Sequence, residues 1–196
     1  MDWDERYSEP GYAYGETPND YLVSMVDEIK GKQVLSLAEG EGRNAVYLAS
    51  KGFDVTAVDS SVVGLMKANE LADRKQVGIS TEQADLASYE PGIERWDAII
   101  SIFCHLPDVI RKQLHLKVIK ALRPGGVLIL EAYIPKQLEF STGGPASAGL
   151  MMTLDKVTQE LQGMELALAQ EIERDVIEGK YHNGRAAVLQ ILARKK

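Results

Sequence analysis

The stretch Leu35–Ala49, LSLAEGEGRNAVYLA, decides the fold. Its apolar beginning has the length of a strand, and a helical pattern starts at Arg43, after a turn rich in glycine and glutamate. Gly40 and Gly42 lack Cβ atoms, so backbone amides in this turn can approach a ligand closely at the positive end of a helix. Asp59 ends the next predicted strand, where a carboxylate can accept both hydroxyls of a ribose. This order of elements predicts a site for a nucleotide-like cofactor.

Apolar strand-like runs alternate with amphipathic helical patterns along most of the chain, which is typical of βαβ units. Strands are predicted at 33–38, 53–58, 78–83, 96–102 and 127–133, and helices at 22–29, 43–51, 60–74, 110–122 and 154–161. Two further strand-like segments, 166–177 and 185–193, flank a turn-rich link and should pair as a hairpin. We therefore predict an α/β, Rossmann-like, doubly wound sheet of seven strands, mostly parallel, with one reversed strand in the C-terminal β-hairpin.

Length and composition predict one domain of 196 residues, with 45% hydrophobic and 26% charged residues. Within it we expect an N-terminal lid and helix over 1–32, a cofactor-binding core over 33–135, and a substrate-side loop, helix and hairpin over 136–196. The formal charge of −7 gives no electrostatic footprint for nucleic acid or an anionic membrane. The oligomeric state is left open.

The cellular location and the metal content follow from the N-terminus and the cysteine count. The first residues, MDWDERYSEP, have no apolar core and do not read as a signal peptide or membrane anchor. A single cysteine excludes an internal disulfide and a cysteine-based zinc site. We therefore expect a cytoplasmic protein with no membrane partner, no nucleic-acid partner and no metal site.

Two cofactors are compatible with the glycine turn. Gly40-x-Gly42-x-x-Ala45 satisfies the permissive dinucleotide fingerprint, so an NAD-dependent oxidoreductase is one alternative. Such enzymes usually need a second nucleotide-binding half and a substrate domain, and the C-terminal hairpin leaves no residues for them.

Five segments in order carry a resemblance to a known family: VLSLAEGEGRNAVYLA, VTAVDSS, EQADLASYE, WDAIISIFCHLP and LRPGGVLILE. Between residues 34 and 131 they resemble the motif set of class I S-adenosylmethionine-dependent methyltransferases. Within this family, the chain is most similar to the tellurite-resistance and thiopurine-type branch. Three segments carry this similarity: GEGRNAVYLA, GGP at 143–145 and EGKYHNG near the end. The resemblance implies in-line methyl transfer from S-adenosylmethionine to a small-molecule acceptor. A protein that binds S-adenosylmethionine without catalysis is a further alternative.

The resemblance also implies roles for individual residues. Residues 38–42 should wrap the methionine part of the cofactor, Asp59 should bind the ribose, and Ser60, Asp85 and Leu86 should contact the adenine. The predicted cofactor-binding residues are Ala38, Glu39, Gly40, Gly42, Asn44, Asp59, Ser60, Asp85, Leu86, Ile102 and Phe103. The family usually has an acid at the position of Ser36 and a glycine at that of Ala38. Glu39 or Glu41 can replace the missing acid, although Glu41 also reads as an exposed loop residue.

Two histidines are candidate general bases for a protonated acceptor. His105 follows the fourth strand, where it could instead cap the next helix, and His182 is predicted in the turn before the last strand. His115 reads as a surface residue, and Cys104 as a small packed side chain.

The N-terminal segment is unusually aromatic. Trp3, Tyr7, Tyr12 and Tyr14 lie among glycine, proline and charged residues, without a helical or strand period. We predict a mobile lid that becomes ordered over the cofactor.

Overall fold

Strands and helices alternate along the chain in a computed structural model that describes residues 2–196. The strands are β1 Gln33–Leu37, β2 Asp54–Asp59, β3 Ser80–Gln83, β4 Trp96–Ile102, β5 Leu122–Tyr133, β6 Glu165–Glu178 and β7 His182–Arg194. The helices are α1 Trp3–Tyr7, α2 Asp20–Met25, α3 Arg43–Ser50, α4 Val62–Arg74, α5 Asp108–Ala121 and α6 Leu154–Glu160. Short 3-10 turns lie at Val26–Glu28, Pro135–Glu139 and Ala148–Leu150.

All seven strands form one sheet in the order β3-β2-β1-β4-β5-β7-β6. The first five of these are parallel, and β7 runs antiparallel to both β5 and β6. The predicted sheet, with its reversed strand in the C-terminal hairpin, is confirmed. Leu37 of β1 pairs with Val58 of β2 and Ser101 of β4, so the loops after these three strands emerge side by side. That edge carries most of the predicted cofactor site.

Both faces of the central strand β4 are buried. Ala98 and Ile100 of β4 enter one hydrophobic cluster with side chains of α2, α3 and α4, whereas Ile99 enters another with α5 and α6. Helices on both faces explain why β4 reads as a continuous apolar run rather than an alternating one. Within residues 2–196, no helix combines the length and the apolar character needed to cross a lipid bilayer.

Two predicted elements have different bounds in the structure. The helix expected over 22–29 is α-helical only to Met25 and tightens into the 3-10 turn Val26–Glu28. The residues Arg123–Gly126, expected to separate helix from strand, form a bulge inside β5, because pairing with β4 jumps from Leu122 to Val127. A Cβ on Gly126 would lie 2.9 Å from the carbonyl oxygen of Arg123, so the bulge requires glycine there.

The N-terminal segment and the C-terminal hairpin differ most from the sequence predictions. Residues Trp3–Tyr7, expected to have no helical period, form α1, whose first turn is capped by the side chain of Asp2. His182, expected in a turn, begins β7 and pairs with Glu178 at the end of β6. The hairpin is therefore longer than predicted, and its turn shrinks to Gly179–Tyr181.

Candidate active site

The loop between β1 and α3 is held in left-handed backbone conformations. Ala38 has φ of 49°, Gly40 of 63° and Gly42 of 91°. Ala38 thus adopts the conformation that the family's usual glycine favours, although its Cβ makes that conformation costly. A Cβ on Gly42 would lie 2.7 Å from Ala68 of α4, so only glycine lets the loop pack this closely against α4.

A buried carboxylate closes this loop. One oxygen of Glu39 accepts hydrogen bonds from the backbone amides of Asn44 and Ala45, at 3.0 and 2.9 Å, and so caps α3. The other oxygen accepts a hydrogen bond from the Ser36 hydroxyl. Burial raises the pKa of Glu39, whereas these hydrogen bonds oppose that shift. The Glu39 carboxylate therefore lies beside the position where Ser36 replaces the family's acid.

Asp59 lies opposite, at the end of β2. Its two carboxylate oxygens accept hydrogen bonds from the amides of Gly40 and Ser61, each at 2.8 Å. Burial is the main reason that the pKa of this carboxyl group is raised. Each oxygen keeps one acceptor site that a ligand hydroxyl can use.

The residues predicted to contact the adenine line the same edge further along. Ser60 and Asp85 are exposed, and Leu86 is buried. The backbone amide of Ala84 donates to the carbonyl oxygen of Asp59 at 2.9 Å, which joins the loop after β3 to the end of β2. These residues therefore lie at the same edge of the sheet as the glycine loop.

The Asn44 side chain is engaged within the protein. Its side-chain oxygen accepts a hydrogen bond from the backbone amide of Asn19 at 2.9 Å, at the start of α2. Its predicted contact with the cofactor stays a prediction.

Residues 2–16, here called the N-terminal strap, cross over the glycine loop. Tyr7 is buried, and its hydroxyl oxygen would be 2.5 Å from a Cβ on Gly40. Glu41, read from the sequence as an exposed loop acid, is buried instead. It accepts a hydrogen bond from the amide of Ala13 and an ion pair from Lys67 of α4, both at 2.7 Å. Glu41 thus fastens the strap to α4 rather than facing solvent.

Four rings, here called the aromatic box, lie beyond the end of β4: Tyr14, Phe103, Tyr133 and His182. Phe103 stacks on Tyr133 at 4.5 Å between ring centroids, and His182 contacts both of these rings edge-on, at 4.8 and 5.1 Å. Tyr14 of the strap covers His182 at 4.6 Å. Phe103 has φ of 52°, a strained backbone conformation for a bulky residue. Such strain often accompanies functional sites.

His105 and His182 differ in the partners of their ring nitrogens. Nδ1 of His105 lies 3.2 Å from the carbonyl oxygen of Leu150, and Nε2 accepts a weak hydrogen bond from the amide of Tyr133 at 3.4 Å. Burial lowers the pKa of His105 to about 4. His105 does not cap α5, which starts at Asp108. His182 lies with its Nδ1 at 3.5 Å from Glu178, and burial lowers its pKa as well.

A buried ionic network supports the box from below. Arg43 donates to Glu178 at 2.6 Å, and Arg174 donates to Glu131 at 2.8 and 2.6 Å. The Asn19 side chain joins the two carboxylates, at 2.6 Å from Glu131 and 2.9 Å from Glu178. Two carboxylates and two guanidinium groups thus neutralise each other beneath the aromatic rings.

The surface location expected for His115 is wrong. His115 is buried, and its Nδ1 lies 2.7 Å from the carboxylate of Glu160 on α6. Cys104 is packed in the core, and burial raises the pKa of its thiol to about 12. Neither residue reaches the aromatic box.

Comparison with known proteins decides the family. A model described as a methyltransferase domain matches residues 34–126, which include the glycine loop and the end of β4. The chain belongs to the class I S-adenosylmethionine-dependent methyltransferases. S-adenosylmethionine is therefore the cofactor, in preference to the NAD alternative.

Two relatives resemble this methyltransferase in sequence. It is 33% identical over 134 residues to a glycine/sarcosine N-methyltransferase of Aphanothece halophytica. The aligned residues are 66% of this chain and 50% of that protein. It is 32% identical over 80 residues to a probable S-adenosylmethionine-dependent methyltransferase, TehB, of Haemophilus influenzae, or 41% of this chain and 28% of that protein. The matches thus span about half or less of these relatives.

Solved structures share the fold. The crystal structure of TehB from Haemophilus influenzae has a TM-score of 0.76 and 21% identity, and covers 91% of this chain and 62% of that one. The N-methyltransferase NodS of Bradyrhizobium japonicum, in complex with S-adenosylhomocysteine, has a TM-score of 0.74 and 14% identity. That comparison covers 98% of this chain and 96% of NodS. TehB thus shares the fold of this chain.

The residues of the methyltransferase fit this cofactor. Two buried carboxylates, Glu39 and Asp59, suit an ammonium group and ribose hydroxyls, and the glycine loop between them leads into the N-terminus of α3. The sequence analysis did not identify Tyr133, Glu178 and Arg43 as residues of the candidate active site. Only the position of Tyr133 at the end of a buried strand could have indicated it.

Proposed function

We propose that this methyltransferase transfers the methyl group of S-adenosylmethionine to a small-molecule acceptor by in-line displacement. The observation that carries the proposal is the aromatic box beside the glycine loop, with the strap covering both: Tyr7 packs on Gly40, and Tyr14 packs on His182. The amine acceptor in the name of the glycine/sarcosine N-methyltransferase supports a small molecule. The cytoplasmic location stays a prediction.

The bound cofactor supplies a methyl group that its sulfonium has already activated. The protein then has to orient the two reactants and exclude water, and orientation alone can lower the barrier by about 7–11 kcal/mol. Glu39 is proposed to hold the methionine ammonium in place of the missing acid, and Asp59 the ribose hydroxyls. Tyr7 and Tyr14 are proposed to keep water from the methyl group.

His182 is the better candidate of the two histidines to contact the acceptor. Both nitrogens of His105 already face backbone groups, whereas His182 has only a long contact, 3.5 Å, between its Nδ1 and the Glu178 carboxylate. The lowered pKa keeps the His182 imidazole neutral near pH 7, so it can accept a proton or a hydrogen bond.

Calorimetric titration with S-adenosylmethionine, S-adenosylhomocysteine and NAD tests the cofactor, and formation of S-adenosylhomocysteine tests the reaction. We expect binding of the first two ligands and none of NAD. The variant His182→Ala should keep its cofactor affinity and lose turnover, while Lys112→Ala, an exposed position on α5, serves as control. Binding without turnover on any small molecule would mean a non-catalytic binding protein.

A further inference from the structure

The N-terminal strap has two parts that are held in different ways. Residues 2–10, here called the arm, carry α1 and Tyr7. Ala13 of the second part is 3% exposed, and both of its backbone groups are bonded. Its amide donates to Glu41 at 2.7 Å, and its carbonyl oxygen accepts a hydrogen bond from the amide of Lys180 at 2.9 Å. Movement of Ala13 would leave these buried groups without partners, so Ala13 is a fixed point of the strap.

Gly11 lies between the arm and this fixed point. Its φ is 81°, in the left-handed region, and a Cβ there would meet no atom within 4 Å. Packing therefore does not require glycine at this position, whereas the backbone conformation favours it. The free space around Gly11 and the wide conformational range of glycine allow the chain to change direction there. These are the properties of a hinge.

The arm closes on the glycine loop through the ring of Tyr7. This residue is 5% exposed. A Cβ on Gly40 would lie 2.5 Å from the Tyr7 hydroxyl oxygen, and one on Gly64 of α4 would lie 2.9 Å from the Tyr7 ring. A side chain at either glycine would therefore displace the ring. The two glycines thus form a seat for Tyr7 between the glycine loop and α4.

Lys67 of α4 holds the arm in this position. Its Nζ donates to the carbonyl oxygens of Glu9 and Gly11, at 3.0 and 2.6 Å, and to the Glu41 carboxylate at 2.7 Å. An ammonium group has three N–H donors, so these bonds use all of them. The Glu41 side chain is only 4% exposed, and a pair that is largely buried is screened little by salt. One cation thus joins the arm, the hinge residue and the glycine loop.

The other polar contacts of the arm are more open to solvent. Asp4 accepts a hydrogen bond from the hydroxyl of Ser61 at the start of α4, and Glu9 accepts one from the hydroxyl of Tyr181 at 2.6 Å. Asp4 is exposed, and the side chain of Glu9 is 43% exposed. Because water competes for exposed polar contacts, they contribute little to stability. The bonds of Lys67 are therefore the main polar contribution that keeps the arm closed.

We propose that the arm is a hinged gate for the cofactor, which turns about Gly11 and has Lys67 as its latch. The proposal rests on the proposed position of S-adenosylmethionine at the glycine loop. With the arm closed, Tyr7 covers that loop and excludes water from it. When the Lys67 bonds break, Tyr7 leaves its seat while Ala13 stays in place, and S-adenosylhomocysteine dissociates. The latch thus limits the rate of product release.

Lys67→Met tests the latch, because it removes the ammonium group and keeps an unbranched side chain. Lys75→Met, an exposed position directly after α4, is the matched control. Stopped-flow fluorescence measures the dissociation rate constant of S-adenosylhomocysteine. We expect Lys67→Met to raise this constant about tenfold, since bonds from a charged donor are lost, and Lys75→Met to leave it unchanged. Hydrogen exchange in Lys67→Met should become faster in residues 3–9 and stay slow at Ala13.

Gly11→Ala tests the hinge without a change at the latch, with Gly52→Ala as matched control. Gly52 follows the C-cap of α3, its φ is 88°, and a Cβ there would also meet no atom within 4 Å. Alanine strains a left-handed backbone at both positions, but at Gly11 the opening of the arm relieves the strain. We expect Gly11→Ala to raise the dissociation rate constant about tenfold at an unchanged melting temperature. Gly52→Ala should lower the melting temperature and leave the rate constant unchanged.

The two pairs of variants separate the gate from the proposed function. Unchanged dissociation in both Lys67→Met and Gly11→Ala, with S-adenosylhomocysteine still bound, overturns the gate and leaves the proposed function standing. An equal acceleration in the two control variants overturns the gate as well. If Lys67→Met does not fold, the rate constant of Gly11→Ala decides alone. Absence of S-adenosylhomocysteine binding to the original protein contradicts both the gate and the proposed function.

Discussion

At the scale of single residues, the proposed cofactor site contains two buried carboxylates. Glu39 is bonded to the start of α3, and Asp59 to the amide of Gly40 across the loop. Each therefore shapes the glycine loop. Their side chains are rigid because backbone amides fix them, and a rigid acceptor loses little entropy when a ligand binds.

Replacement of Asp59 by alanine should weaken binding of S-adenosylmethionine at least tenfold. A charge-assisted hydrogen bond contributes about 1.5–3 kcal/mol, and about 1.4 kcal/mol corresponds to a tenfold change. Calorimetry measures the affinity. Asp54→Ala, an exposed aspartate at the opposite end of β2, is the control and should bind normally. Unchanged affinity in a folded Asp59→Ala protein would remove Asp59 from the ribose site.

At the scale of elements, α5 and α6 are joined by a buried ionic contact on the face of the sheet opposite α2 and α3. Arg111 donates two hydrogen bonds to Glu160, at 3.1 and 2.7 Å, and His115 lies on the same carboxylate. Burial works against the charge of Glu160, but the bonds from His115 and Arg111 prevail and lower its pKa to about 2. This contact helps fix α5, which follows the loop that carries Phe103 and His105.

The contact predicts a pH dependence of stability. A carboxyl group with a lowered pKa in the folded state stabilises the protein above its unfolded pKa, near 4.5, and loses that effect as pH falls towards 2. The variant Glu160→Gln should therefore lower the free energy of unfolding by about 3 kcal/mol at pH 7. Urea unfolding should show that the difference in free energy of unfolding between the original protein and Glu160→Gln disappears between pH 4.5 and 2.

The exposed Asp155 of the same helix gives the control for that measurement. Asp155→Asn should stay within about 0.5 kcal/mol of the original protein at pH 7. If Glu160→Gln lowers the free energy of unfolding by the same amount at every pH, packing and not charge joins the two helices.

At the scale of the whole molecule, the strap links parts of the chain that are far apart in sequence. Tyr12 donates to the carbonyl oxygen of Lys67 on α4 at 3.1 Å, and Lys180 of the hairpin turn donates its amide to Ala13 at 2.9 Å. The strap thus spans from α4 to the β6–β7 turn, across both the glycine loop and the aromatic box. Its one helix, Trp3–Tyr7, is too short to be stable without these contacts.

We also predict that order in the strap depends on the cofactor beneath it. We expect hydrogen exchange in residues 3–15 to slow when S-adenosylhomocysteine is added, while exchange in residues 186–193 of β7 stays unchanged. Deletion of residues 2–14 should reduce turnover more than it reduces the melting temperature. Equally slow exchange with and without ligand would make the strap a fixed part of the fold.

Most of the fold could be predicted from the sequence because the relevant signals are local. An apolar run such as WDAIISI indicates a buried strand, and the glycines after Leu37 mark the turn into α3. The order of strands and helices then leaves few ways to arrange a parallel sheet. For the same reason the ends of β1 and β2 are the predicted position of the cofactor site.

The sequence by itself thus determined the sheet, the family and the glycine loop, whereas the tertiary structure decided which side chains meet. His115 is buried because Glu160, 45 residues away, lies beside it, and no pattern around His115 reveals that partner. Tyr133 and His182 share the aromatic box only because β7 is inserted next to β5 in reverse. Contacts of this kind depend on strand register and helix packing, which bring distant residues within a few ångströms, and local periodicity carries no information about them.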